Sequence, residues 1–256
     1  MRPGKMVWPN WHMPRGSPYS PANAYGHPQI AVTIDATCLR SNIAGTQLAT
    51  LETIAALARH DHVRLTAVVS GHAHGEAIAA LHALPHVAVA SLLRKPPPIS
   101  DIVHRPFQVN HAFDVAILRR LGRRSVITQQ DLIAYRRPGY FKNRFRWRHY
   151  RAATKMALGL ADAVVCPSDH IRDELARMAL ADPRRCLTIP FGVDHLNTAK
   201  GESPPQAASR LETTEFILCI GADYRHKNRP FALAVANELR MRFGWSGSLV
   251  FAGPHV

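Results

Sequence analysis

The sequence predicts an α/β fold: a Rossmann-like parallel sheet with helices on both faces, followed by an incomplete second Rossmann-like domain. Three observations predict it. Short apolar runs alternate with segments of helical periodicity from Gln29 to about Pro190. The runs are unbroken rather than alternating in polarity, as strands of a sheet covered on both sides require. After a polar stretch the pattern restarts at Glu215 as strand, basic turn, helix and strand, and the sequence ends at Val256.

Residues 1–28 are rich in Pro, Gly, Ser and Asn without periodicity, and read as a disordered leader. Ile30–Asp35 is a short apolar strand ending in a carboxylate. A loop with Ala44 and Gly45 leads to a helix over about 46–59, with Leu48, Leu51, Ile54, Ala55 and Ala58 on one face. Strand 63–70, helix 76–84 and strand 87–90 follow. Pro96, Pro97 and Pro98 form a stiff extended connector to a brief strand over 101–104. Asn110 is placed to cap a helix that Gly122 stops, and 125–128 is the next strand. A long basic helix over about 142–160, strand 163–166, a helix capped by Ser168 and strand 186–190 complete the block. The expected organisation is a leader (1–28), a Rossmann-like domain (29–196), a linker (197–214) and the start of a second domain (215–256).

A chain of 256 residues with 46% hydrophobic content can bury a sizeable core. Cys38, Cys166, Cys186 and Cys219 form no C-x-x-C pair, which suits reduced thiols in a cytoplasmic protein rather than a disulfide scaffold. No apolar run reaches the roughly 18–20 residues that span a bilayer, and the N-terminus lacks the apolar core of a signal peptide. The formal charge is +14, and between Arg119 and Lys155 Asp131 is the only acidic residue. Such a stripe can meet nucleic acid, an anionic membrane surface or a phosphorylated substrate, and a solvated basic face explains it as well. No nucleic-acid-binding motif accompanies it, so nucleic acid is an unlikely partner.

Ligands of open α/β sheets bind beyond the C-terminal strand ends, so candidates are read from the residues just after each strand. Asp35, His104, Gln129-Gln130-Asp131 and Gly221 onward hold those positions. Neither G-x-G-x-x-G nor G-x-x-x-x-G-K-[ST] occurs, which argues against an NAD-type site and excludes a P-loop. Gly45 beside a helix start would let a ligand approach the backbone amides; an ordinary turn glycine is the plainer reading. His72 and His74 lack a third ligand at useful spacing, and no metal site is expected. Gln130 and Asp131, followed by an aromatic and basic loop from Tyr135 to Phe141, suit recognition of a sugar, unless Asp131 only caps the next turn. Arg225, His226 and Lys227 precede a helix that Asn228 can cap, the ingredients of a diphosphate site or of a plain surface turn.

Taken in order, these segments resemble the family 4 glycosyltransferases of the two-Rossmann-domain (GT-B) architecture. Val126 to Ile133 with Pro138 to Phe141 is similar to the family's v-T-x-H-D-L-i…P-x-y-f, and Ala161 to Ser168 to a-D-x-v-i-t-v-S. Ile189 to Asp194 resembles i-x-n-G-v-D; Ile217 to Gly221, Lys227-Asn228 and Leu249 to Pro254 resemble i-L-x-v-G…r-K-N…L-v-i-a-G. The resemblance covers about Ile30 to the end of the sequence.

It implies an acceptor-binding N-terminal domain, a donor-binding C-terminal domain and sugar transfer with retention, from a nucleotide diphosphate sugar to a glycan or lipid-linked acceptor. Gly45, Gln130 and Asp131 would face the acceptor, and Gly221, Arg225 and Lys227 the donor diphosphate. Protein cations would then do the work of a metal, so the nucleotide sugar is co-substrate and no cofactor is expected. The location expected is cytoplasmic, with peripheral contact at the anionic inner membrane face. Two departures stand out. The family's histidine before Asp-Leu is Gln130, which hydrogen-bonds but carries no proton. The family's E-x7-E donor segment would lie beyond Val256, so the sequence reads as truncated and weakly active or inactive. The alternative reading is a non-catalytic remnant that binds glycan or a membrane surface.

Overall fold

The apolar runs become parallel strands because each is too short for a helix and is flanked by amphipathic segments able to cover it. The structure is a computed structural model and describes residues 29–40, 45–73, 75–92, 96–193 and 215–253. The expected leader and linker therefore lie outside the described residues, as do the loop residue Ala44 and His74. The chain divides into two units, Met1–Val193 and Asp194–Val256.

The first unit holds strands β1 (Ile30–Asp35), β2 (Val63–Val69), β3 (Val87–Ser91), β4 (Ser100–Arg105), β5 (Gly122–Thr128), β6 (Ala163–Cys166) and β7 (Cys186–Thr188). They form one sheet in the order β3-β2-β1-β4-β5-β6-β7, parallel throughout. Helices α1 (Gly45–Leu57) and α2 (Gly75–Ala83) follow β1 and β2. Helices α3 (Ala112–Leu121), α4 (Ile133–Arg136), α5 (Arg144–Leu160) and α6 (Asp169–Arg177) serve the other half. Two apolar cores result. Val32, Ile34, Leu65 and Ala67 pack with Ile54, Ala77 and Leu81 of α1 and α2. Val103, Ile127 and Val164 pack with Leu118, Leu121, Ala153, Ala157 and Leu175. Helix α5 buries Tyr150, Ala153, Thr154, Ala157 and Leu158, a helical stripe, and leaves Arg144, Arg146 and Arg148 outside.

Several boundaries differ from the sequence reading for local physical reasons. Helix α3 is capped at His111 rather than Asn110, because the Asp114 carboxylate accepts the amides of both residues at 3.0 Å. Gly122 ends α3 as expected, its amide donating to the Leu118 carbonyl, but in an extended rather than left-handed conformation; it also opens β5, so Arg123 and Arg124 lie within the strand. Glycine is required there because a Cβ would sit 2.5 Å from the Val103 backbone nitrogen on the neighbouring strand. Helix α5 begins at Arg144, with Asn143 as its cap accepting from the Arg146 amide at 2.9 Å. Ser168 caps α6 as expected, accepting from Ile171.

The second unit pairs β8 (Phe216–Ile220) in parallel with β9 (Ser248–Ala252), joined through α7 (Arg229–Phe243). Among its described residues Ala236 is the only buried hydrophobic, while Phe216, Leu218, Ile220, Phe231 and Met241 are exposed.

Candidate functional site

In this strand order the crossovers change direction between β1 and β4, and the crevice beyond the ends of those two strands is where an open α/β sheet takes ligands. Asp35 ends β1 and Arg105 ends β4. Arg105 Nη1 donates to Asp35 Oδ2 at 2.7 Å, and its Nη2 donates to Asp114 Oδ2 at 3.1 Å. The guanidinium also lies 4.2 Å from the Phe107 ring centroid. Asp35 and Arg105 are both buried, and the second Asp35 oxygen accepts from the Thr37 amide and hydroxyl. The floor of the crevice is thus a fully engaged ion pair. Cys38 lies just beyond; burial first, offset partly by its contact with Thr50, pushes its thiol up to about 11. That thiol is no nucleophile at neutral pH.

Gln130, where the family carries histidine, bridges the crevice. Its carbonyl oxygen accepts from the Thr46 hydroxyl in the first turn of α1 at 2.9 Å, and its amide donates to the Pro106 carbonyl after β4 at 3.0 Å. Asp131 Oδ1 accepts from the Ile133 amide at 2.9 Å, so it does cap the next turn. Its Oδ2 accepts from Gln108 Nε2 at 3.4 Å. Gln129 is fully buried; its amide donates to the Asp131 carbonyl at 2.6 Å, and its own carbonyl oxygen has no partner. Gly45 opens α1, and a Cβ there would meet nothing within 4 Å.

His104, next to Arg105, bonds Thr128 Oγ1 at 2.9 Å, and burial lowers its pKa to about 4. It is neutral at physiological pH. The aromatic loop does not stand beside the crevice as an open sugar platform, as its sequence suggests. Tyr135 is buried on α4, its carbonyl accepts from Trp147 Nε1 at 3.1 Å, and Arg151 lies over both rings. Phe141 packs on Tyr150 with centroids 5.0 Å apart. These side chains went to cover α5 because their apolar area is worth more against the helix than in solvent.

In the second unit Gly221 follows β8 with φ +119, a backbone that favours glycine, and the Lys227 side chain folds over it. A Cβ at Gly221 would lie 3.0 Å from Lys227 Cε and 3.4 Å from its Nζ. Arg225 stands in the same turn, and Arg229 donates to the Gly221 carbonyl at 2.8 Å. Asn228 sits at the N-cap of α7 in a left-handed conformation without a side-chain cap, contrary to expectation. Its carbonyl accepts from Phe231 and Ala232 instead.

Gln130 and Asp131 therefore meet at one crevice, with Gly45 in the same helical turn as Gln130's partner Thr46, and Gly221, Arg225 and Lys227 share one turn. Arg105, Gln108 and Arg229 belong to these clusters although sequence reasoning did not single them out, and no local signal marked them; Gln129 was read with Gln130 and Asp131 as a strand-end candidate.

The fold and this crevice define a Rossmann-like α/β domain with a hydrogen-bonding site at its strand ends. The pattern of Glycosyltransferase Family 4 matches residues 43–195, and the chain belongs to that family. No curated protein matches it. Among solved structures it is similar to the S. aureus MnaA-UDP co-structure, with a TM-score of 0.50, 13% identity, and coverage of 88% of this chain and 62% of that one. It is likewise similar to a Listeria monocytogenes protein assigned as a UDP-N-acetylglucosamine 2-epimerase, with a TM-score of 0.50, 13% identity, and coverage of 89% and 70%. At this identity the likeness concerns the fold. The chain spans less than two thirds of the MnaA chain. Among the described residues no helix is long and apolar enough to cross a membrane.

Proposed function

We propose that the chain forms the acceptor-binding domain and the opening of the donor-binding domain of a retaining glycosyltransferase. The reaction moves a sugar from a nucleoside diphosphate sugar to a glycan or lipid-linked acceptor. One observation carries the reading: the region matched by the family pattern contains Gln130 and Asp131, held at the strand-end crevice where acceptor hydroxyls would be recognised. Gln130, Asp131 and Gln108 offer amide and carboxylate groups to neutral hydroxyls, and Gly45 leaves the start of α1 open to close approach. In the second unit Lys227 and Arg225, above the Gly221 backbone, would hold the diphosphate and stabilise the charge that develops on the leaving group.

The donor half is tested by titrating the whole chain with UDP, GDP, ADP and dTDP in a calorimeter. One nucleotide is expected to bind, and Lys227→Gln should weaken it about tenfold, the loss of one charge-assisted contact. If none of the four binds at millimolar concentration, the donor assignment fails.

One observation favours a second reading, in which the chain binds a surface without catalysis. Helix α5 exposes Phe145, Met156 and Leu160 beside Arg144, Arg148 and Lys155, a pattern suited to an anionic membrane. Co-sedimentation with phosphatidylglycerol vesicles, in the absence of any nucleotide binding, would select it.

A further inference from the structure

The first sheet is parallel throughout, and such sheets are stable with both faces covered. On β1 and β2 one face is covered, with Val32, Ile34, Leu65 and Ala67 packed against α1 and α2. Alternation along the strands turns Ala31, Thr33, Arg64 and Thr66 to the other face. Nearer the C-terminal strand ends that face is closed, because Val68 joins the core around Val103 and Ile127. Nearer the N-terminal ends it is open. Among the described residues no helix stands between β3 and β4, and a cavity of about 350 Å³ remains over Ala31, Thr33 and Thr66. Arg64, Ile99 and Arg123 line it and are exposed, Ile99 at 62%.

The chain enters the sheet at this opening, since Ala31 lies two residues after Gln29. Residues 1–28 precede it and contain Trp8 and Trp11, two of the four tryptophans of the chain. Residues 6–14 carry no Lys, Arg, Asp or Glu, whereas Lys5 and Arg15 flank them. Such a neutral aromatic run is poorly matched to a segment that only meets water. Pro9 and Pro14 favour a polyproline II course, in which residues three apart share one edge about 9 Å from each other. Trp8 and Trp11 are three apart, and about 9 Å is also two strand spacings, the distance from β2 to β4. The cavity offers what an indole needs. Ala31 and Ile99 give apolar contact, and exposed Arg64 and Arg123 can each stack on a ring without losing their solvation. Asp101 accepts the Ala31 amide with one oxygen at 2.9 Å, and its other oxygen can take an indole N–H. A coil of roughly 18 residues, the length from Trp11 to Gln29, averages roughly 23 Å end to end. The effective concentration at the cavity is then near millimolar, which favours this segment over a second copy or a separate protein.

We propose that residues 6–14 dock across the open face of β1, β2 and β4 and supply its missing layer, with Trp8 and Trp11 seated in the cavity. The contact lies toward the N-terminal strand ends, so it leaves the crevice with Gln130 and Asp131 clear. It stands independently of the acceptor and donor assignments.

The test is fluorine-19 NMR of the whole chain labelled with 5-fluorotryptophan, its resonances assigned by Trp→Phe substitution at each position. The resonances of Trp8 and Trp11 are expected away from their places in the urea-unfolded chain, at shifts that about tenfold dilution leaves unchanged. Ile99→Asp, at an exposed position, should lower the docking constant about fivefold and move both resonances toward their unfolded places. Phe113→Asp, at a position 74% exposed in the first turn of α3 near the opposite strand ends, should move neither. Unchanged resonances of Trp147 and Trp245 report that each variant keeps the fold. Unfolded-like shifts for Trp8 and Trp11 in the native chain overturn the proposal, as does an equal response to Phe113→Asp. Shifts that return to their unfolded places on dilution assign the occupant to a second copy and overturn the intramolecular contact.

Discussion

Replacing Arg105 by methionine should be the most damaging single change at the strand-end crevice. The side chains of Arg105 and Asp35 retain only 5% and 1% of their exposure, and Asp114, the second acceptor, retains 16%. Methionine keeps much of the aliphatic volume over Phe107 but leaves the Asp35 carboxylate buried, with only the Thr37 amide and hydroxyl to stabilise it. Breaking a buried pair by removing one partner costs about 3–5 kcal/mol, a large share of the roughly 5–15 kcal/mol that stabilises a domain. Urea unfolding followed by far-UV circular dichroism measures the loss. Asp35→Asn removes the stranded charge, so the double variant should recover at least about 1.5 kcal/mol of it. A loss below about 1 kcal/mol for Arg105→Met would refute the reasoning, because the carboxylate would then have found water or a proton at little cost.

Two further outcomes are expected. His104 has its pKa lowered to about 4 by burial, so the unfolded chain takes up a proton first as pH falls. Stability attributable to His104 is therefore full above about pH 6.5 and lost progressively toward pH 4, by about 1–2 kcal/mol at pH 5 after allowance for its partial exposure. His104→Gln should flatten that part of the pH–stability curve, and an unchanged slope would assign it to other groups. Gly122→Ala places a methyl 2.5 Å from the Val103 backbone, which cannot yield as a flexible side-chain end can. A loss of about 1–3 kcal/mol in thermal or urea unfolding is expected, and an unchanged midpoint would mean that β4 and β5 separate freely at that point.

How much of this was legible in the sequence depended on the distance over which each residue acts. β1, β2 and β6 are apolar and bounded by local turn signals, so their positions follow from the chain itself. The caps at Ser168 and Asp131 also act within three residues. The start of β5 was not legible, because Gly122 followed by two arginines reads as a helix stop and a surface stripe. What fixes it is the backbone of Val103 on another strand. Arg105 gave no signal because its partner Asp35 is 70 residues away. The family resemblance marked position 130, but not that Thr46, 84 residues earlier, ties it to α1. The aromatics from Tyr135 to Phe141 were visible as a cluster; that they turn inward follows from α5, whose buried stripe needed a cover.

The charges themselves divide the labour. At the strand-end crevice one guanidinium, Arg105, stands against the three carboxylates of Asp35, Asp114 and Asp131, and Gln130 and the neutral His104 add no positive charge. Such a field repels phosphate and accepts hydroxyl protons, which favours a neutral sugar over a diphosphate at this end of the sheet. The cations proposed to meet phosphate lie elsewhere: Arg225 and Lys227 in the turn after β8. A histidine at position 130 would have added a charge that appears as pH falls, whereas glutamine stays neutral at every pH. The departure from the family pattern therefore moves the electrostatics of the crevice further toward hydroxyl recognition and further from any role in proton transfer.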